Sequence, residues 1–194
     1  MNKIEDERLK FYLRNVRLIK EWADLGGEVC DVVDRFLVSL VEDIESLAGE
    51  IDSEIIVYTE LESGWPKIFL QFPHWNTAGG KMIIAGIGLE WDRKVDLVSH
   101  LPYIGTWIDP KHEKADSIRD AVHAKSGTVA PDIGFKKGRS RFWPAFKNLE
   151  PEGEFWEDLE PFRQTVIEEM RQIWNLFGTV VDEALTREAG GIQD

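Results

Sequence analysis

The chain has a single cysteine, Cys30, among its 194 residues. One thiol closes no disulfide within the chain and builds no cysteine cage for zinc. The sequence therefore suits a reducing, cytoplasmic compartment. Cys30 lies inside an apolar helical pattern, the setting of a buried, inert thiol. Histidine is sparse too: His74, His100, His112 and His123 form neither an HExxH motif nor a close pair. On a shared helix face, His112 and His123 would stand about 16 Å apart, too far for one metal. No apolar run approaches the length that spans a bilayer, and MNKIEDERLK lacks the apolar core of a signal peptide. There is no GxSxG elbow and no GxxxxGK[ST] loop. Gly86-Ile87-Gly88 lacks the third glycine of a dinucleotide fingerprint and leads into no helix. No internal repeat or low-complexity tract interrupts the chain.

Positive charge is also in short supply. Twenty-three Lys and Arg stand against 36 Asp and Glu, a formal net charge of -13. That balance repels nucleic acid and anionic membrane at long range. It suits a protein partner with a basic surface, or an inhibitor that mimics nucleic-acid charge. Screening confines the effect to about 8–10 Å at cellular salt, so a local basic patch remains compatible with it.

What the chain does have is apolar and aromatic weight: 43% hydrophobic residues, eight Trp and ten Phe. This length and composition predict one packed domain over residues 1–194. Leu9, Tyr12, Val16, Ile19 and Ala23 recur at steps of three and four, a helical stripe ended by Leu25-Gly26-Gly27. Val33, Leu37, Leu40, Ile44 and Leu47 make a second stripe, ended by Gly49. Two amphipathic helices around a glycine turn predict an αα-hairpin over about 4–48. From Glu54 the period changes to that of strands, with IIVYT, KIFLQF, KMIIAGIGLEW and YIGTWI over about 54–108. A helix and a basic loop follow over about 111–149, where Arg141 to Phe146 adds a short edge strand. A final helix of about 155–187 carries Leu159, Phe162, Val166, Met170, Ile173, Phe177, Val181 and Leu185. The expected fold is α+β: the hairpin, an antiparallel sheet of four or five strands, and a long C-terminal helix packed on the sheet.

Three groups of residues carry candidate chemistry. The first is KKGRSRFWPAFKNLEP. From Ile133 to Leu149 it has no carboxylate, but Lys136, Lys137, Arg139, Arg141 and Lys147 stand among Phe142, Trp143 and Phe146. Cations beside a stacking plane are what an anion or single-strand contact uses, with Lys136, Lys137, Arg139, Arg141 and Trp143 as its residues. The structural reading is a loop whose cations pair with the acidic run Glu150 to Glu160, its aromatics being core. The second group is carboxylates. Glu60 and Glu62 alternate in phase, as do Glu90 and Asp92, and Asp92-Arg93-Lys94 has the D-x-K spacing of metal-dependent nucleases. There, carboxylates hold a divalent ion on the scissile phosphate and the lysine steadies the attacking water. Mg2+ enters only under that reading; a solvated turn is the plainer one. The third is Trp75 in PHWNTAGG, placed by its loop to be exposed and to touch a partner, whereas Trp22, Trp156 and Trp174 read as packing between helices.

The order of N-terminal helices, GIGLEW, YIGTWI, RFWPAFKNLEP and an aromatic-rich final helix resembles the C-terminal part of PD-(D/E)xK nuclease-like proteins of bacterial defence and prophage loci. The likeness runs from Phe11 to Leu185. The chain departs from that pattern at its centre. No (D/E)xK strand follows Pro131-Asp132, and Asp92-Arg93-Lys94 precedes it. The resemblance thus implies an accessory module without the nuclease centre. The expected function is a non-enzymatic binding module acting through protein partners, a homodimer among them, or through a local nucleic-acid contact, away from membranes. The alternatives are the nuclease itself and the acidic inhibitor.

Overall fold

The apolar stripe that starts at Leu9 does not break at Gly26-Gly27. In the computed structural model, α1 runs unbroken over Glu7–Ile51, 45 residues. The turn expected at the glycines is absent, and the two expected helices are one. Glycine lowers helix propensity by about 1 kcal/mol relative to alanine but does not forbid helical angles. The stripe also keeps its phase across the pair, stepping from Ala23 through Gly26 and Cys30 to Val33. Gly134 is the only described glycine with positive φ, so neither Gly26 nor Gly27 adopts the left-handed cap. At the other end Asp6 caps the helix: its Oδ1 accepts the Arg8 N–H at 2.8 Å.

The structure describes residues 5–77, 82–91, 102–128, 133–150 and 158–187. The chain divides into two compact units, Met1–Leu37 and Val38–Asp194. Within the first, no described side chain from residue 5 to residue 32 is buried, and Val33, Phe36 and Leu37 are.

The second unit is built on six strands: β1 (Ile56–Glu60), β2 (Lys67–Gln71), β3 (Ala85–Glu90), β4 (Tyr103–Ile108), β5 (Lys136–Lys137) and β6 (Ala145–Asn148). Their order is β1-β2-β3-β4-β6-β5, with every pairing antiparallel. In the meander β1 to β4 each strand pairs with the next along the chain, and six residues, 61–66, join β1 to β2. The strand expected near Arg141 starts later, at Ala145, and lies inside the sheet, because the two-residue β5 forms the edge beyond it.

The two helices after β4 are α2 (Ala115–Thr128) and α3 (Glu160–Thr186). They cover the face made by Ile68, Leu70, Ile87, Leu89, Ile104, Thr106, Ile108 and Ala145, each essentially inaccessible. The stripe Phe162, Val166, Met170, Ile173, Phe177 and Val181 supplies the other side of this core. The last turns of α1 join it through Leu40, Ile44 and Leu47. Arg163 donates to Ser39 O and Asp43, and Arg171 to Glu50, so the end of α1 and the start of α3 run parallel. The α+β class is as expected, with six strands instead of four or five.

Candidate functional site

The opposite face of the sheet is aromatic. Phe69 sits at its centre, over Gly86 and Gly88. A Cβ on Gly88 would lie 2.1 Å from Ile68 O, and one on Gly86 would lie 2.7 Å from the Phe69 ring. Tyr58 and Trp107 stack on Phe69 at 6.3 and 6.0 Å, and Trp143 meets it edge-on at 5.8 Å. Trp143 in turn lies over Gly105, whose added Cβ would be 3.0 Å from the indole. At Gly88 and Gly105 an added Cβ would meet the neighbouring strand's backbone first, Ile68 O at 2.1 Å and Ala145 O at 2.3 Å, whereas at Gly86 it would meet the Phe69 ring.

This geometry decides part of the basic segment. Trp143 is 6% exposed and packs against Tyr103 at 4.8 Å. It is a core ring, not the free stacking plane expected. Lys147 lies inward and pairs with Glu169 of α3 at 2.6 Å, so its partner is not in the run Glu150 to Glu160. Lys136 and Lys137 are consecutive in β5, opposite Phe146 and Ala145, and the pleat sends them to different faces. Lys136, Lys137, Arg139 and Arg141 are exposed, and none forms an ion pair among the described residues. The aromatic ring beside them that does reach solvent is Phe142, 43% exposed and stacked on Trp107 at 6.4 Å. Arg119 of α2 donates to Arg141 O, which ties this loop to the helix layer.

The carboxylate set comes apart. Register places Glu60, Lys67, Glu90 and Tyr103 side by side across four strands. Lys67 Nζ stands 3.4 Å from Glu60 and 3.6 Å from Glu90, and the Tyr103 hydroxyl donates to Glu90. The lysine between them answers the negative charge that a divalent ion would have to answer. Burial first, and then the Glu60 carboxylate, push the Tyr58 phenol above its usual range. Glu62 lies beyond the end of β1, in the turn before β2, so it does not share the strand face of Glu60. Asp92 and Lys94 lie outside the described residues. Among the described residues no three His, Cys, Asp or Glu side chains converge as metal ligands.

Trp75 is fully buried, contrary to the exposure its loop predicts. Pro73–Trp75 forms a 3-10 turn that tucks the indole beneath α3. There it stacks on Trp174 at 5.5 Å and donates Nε1–H to Asp182 Oδ1 at 2.9 Å. His74 Nε2 meets the same carboxylate oxygen at 2.6 Å. Trp75 is thus a structural anchor and offers no surface to a partner.

The exposed apolar surface lies elsewhere. In α1, Leu9, Phe11, Tyr12, Leu13, Leu18, Trp22, Leu25, Val29 and Val32 are all more than two-fifths exposed, with Trp22 at 68%. Trp22 therefore packs between no helices. The side chain of Cys30, on the same helix, is outside the description. The sequence carries the signal for this surface in a second series, Phe11, Leu18, Trp22, Leu25, Val29 and Val32, running beside the first stripe. Together the two make an apolar arc far wider than one core contact needs. No helix is long and apolar enough to cross a membrane among the described residues. Comparison with family models, with curated proteins and with solved structures finds no match for the chain.

Proposed function

We propose that the protein is a non-enzymatic binding module that engages a protein partner through the apolar arc of α1. The observation that carries this reading is the run of residues 5–32, a helix without one buried described side chain but with nine large apolar ones open to water. A helix with so broad an uncovered apolar face is stable and soluble only when another surface covers it. A defence- or phage-associated setting, implied by the resemblance of the aromatic segments, fits a module that recruits rather than cuts.

The test is site-specific photo-crosslinking. A benzophenone side chain at Leu25, on the apolar arc, is expected to capture a protein in extracts of the source cell. The same group at Asp24, on the polar side, is expected to capture none. Equal labelling from both positions, or none from Leu25, would remove the reading.

A second reading rests on the four cations Lys136, Lys137, Arg139 and Arg141, which form no ion pair among the described residues, beside the exposed Phe142 ring. They support a local contact with a nucleic-acid backbone. Anisotropy of labelled single-stranded and duplex probes, with and without all four changed to Glu, measures it. Binding that falls steeply with salt and vanishes in the variant is expected; binding unchanged by the charge reversal would sink it.

A further inference from the structure

The charges along α1 are sorted. From Arg8 to Lys20 there are five cations, Arg8, Lys10, Arg14, Arg17 and Lys20, and no carboxylate. From Glu21 to Asp34 there are five carboxylates, Glu21, Asp24, Glu28, Asp31 and Asp34, and no cation. The change of sign falls between Lys20 and Glu21, in the middle of the uncovered apolar arc. Such a helix is complementary to itself when reversed. We infer that the occupant of the arc is a second copy of this chain, whose α1 lies antiparallel across it with the dyad near Lys20. The inference rests on the protein-binding reading of the same surface and names its partner.

The apolar spacing supports the same register. Phe11, Asn15, Leu18, Trp22, Leu25, Val29 and Val32 alternate steps of four and three, the seam of a two-stranded coiled coil, over about three heptads. Reversal about Lys20 sets Phe11 against Val29, Asn15 against Leu25 and Leu18 against Trp22. The dyad repeats each layer once. Asn15 is tolerated in this seam because its amide already donates to Phe11 O at 2.8 Å. In the flanking row Arg14 faces Glu28 of the second copy, and Glu28 faces Arg14. Among the described residues neither has an ion-pair partner in its own chain. The two copies of Glu21 meet at the dyad, where each is already neutralised by Arg17 at 3.0 Å. On the other flank Tyr12 lies against Gly26, where the missing Cβ leaves room for the ring; among the described residues a Cβ built there would meet nothing within 4 Å beyond its chain neighbours and the adjoining helix backbone. A parallel pair would stack cation on cation and carboxylate on carboxylate. The acidic half likewise argues against an anionic bilayer as occupant.

The experiment uses the full chain. Sedimentation equilibrium from low to high micromolar concentration is expected to show a monomer–dimer equilibrium. Arg14→Glu is expected to weaken the dimer about ten-fold, since two attractive contacts become repulsive. Adding Glu28→Arg to that variant is expected to restore it. Leu18→Asp is expected to give a monomer whose near-UV dichroism is otherwise that of the parent. Direction is read by spin labels in a Cys30→Ala background. Labels at Glu21→Cys, which the register brings together at the dyad, are expected close together, and labels at Asp31→Cys about 33 Å apart along the axis. Equal short distances at both positions would mean a parallel pair and overturn the inference. So would a chain monomeric at every concentration. If that monomer still crosslinks a different protein from Leu25, the dimer fails and the protein-binding reading stands.

Discussion

Two stretches of α1 carry one apolar stripe in one phase, and they meet opposite fates. Leu40, Ile44 and Leu47 have at most 2% exposure. Leu9 and Tyr12, earlier on the same stripe, are about half exposed. Periodicity fixes which side chains share a helix face, but it does not say what covers that face. In the later stretch the cover is written in the chain itself, as α3 and its arginines. In the earlier one the chain writes a sorted charge pattern and a second apolar series, and both are instructions to a partner.

The largest effect should separate the two stretches by substitution. Leu40→Ala removes a fully buried side chain and is expected to cost about 2–5 kcal/mol of unfolding free energy. Leu18→Ala, at a protein concentration too low for association, is expected to change it by less than about 0.5 kcal/mol. Urea titrations followed by tryptophan fluorescence measure both. A Leu18→Ala cost like that of Leu40→Ala in dilute solution would mean the early stretch is packed within its own chain, and the contrast would collapse.

Glycines sharpen the same comparison. At Gly88 an added methyl meets backbone, Ile68 O at 2.1 Å, so strands β2 and β3 must shift. Gly88→Ala is expected to destabilise by about 1–3 kcal/mol. At Gly27 nothing lies within 4 Å and the backbone is helical. Gly27→Ala is expected to stabilise the helix by about 0.5–1 kcal/mol, read as a higher melting midpoint. Destabilisation by Gly27→Ala would mean that the helix bends or is closely approached there.

The glycines also show what the sequence made legible. In YIGTWI and GIGLEW, strand alternation with embedded glycine marks both the strand and a close approach, and both are found. That the approaching groups are Ile68 O, Ala145 O and the Phe69 ring depends on register, which no single strand carries. Gly26-Gly27 resembles a helix stop locally, but the unbroken three-and-four stepping on either side outweighs it, because a real turn would reset the phase. Trp75 was hidden in a loop-like string. Its burial requires Asp182, more than a hundred residues away, to accept the indole N–H. The basic segment was legible as a concentration of charge, yet its division into an inward Lys147 and outward neighbours follows only from pairing with β4 and α3. Glu60 and Glu90 likewise found a lysine between them that spacing along one strand could not supply.

The smallest expected effect is the acid sensitivity that a histidine gives the packed unit; residues 5–37 contain no histidine. His123 of α2 is held below its ordinary value of 6.5, chiefly by burial and then by Lys137 and Arg119, against the opposing pull of Gly138 and Asp120. Its folded form therefore resists a proton that the unfolded chain accepts. Above pH 6.5 both states are neutral there, and the residue adds no pH dependence. As pH falls through that value the unfolded chain gains the proton first, and stability declines until the lowered folded value is passed. His123→Gln is expected to flatten this part of the stability profile, read from urea midpoints at a series of pH values. The partial exposure of the ring keeps the change below those of the core and glycine variants. An unchanged acid slope in His123→Gln would remove His123 as its source.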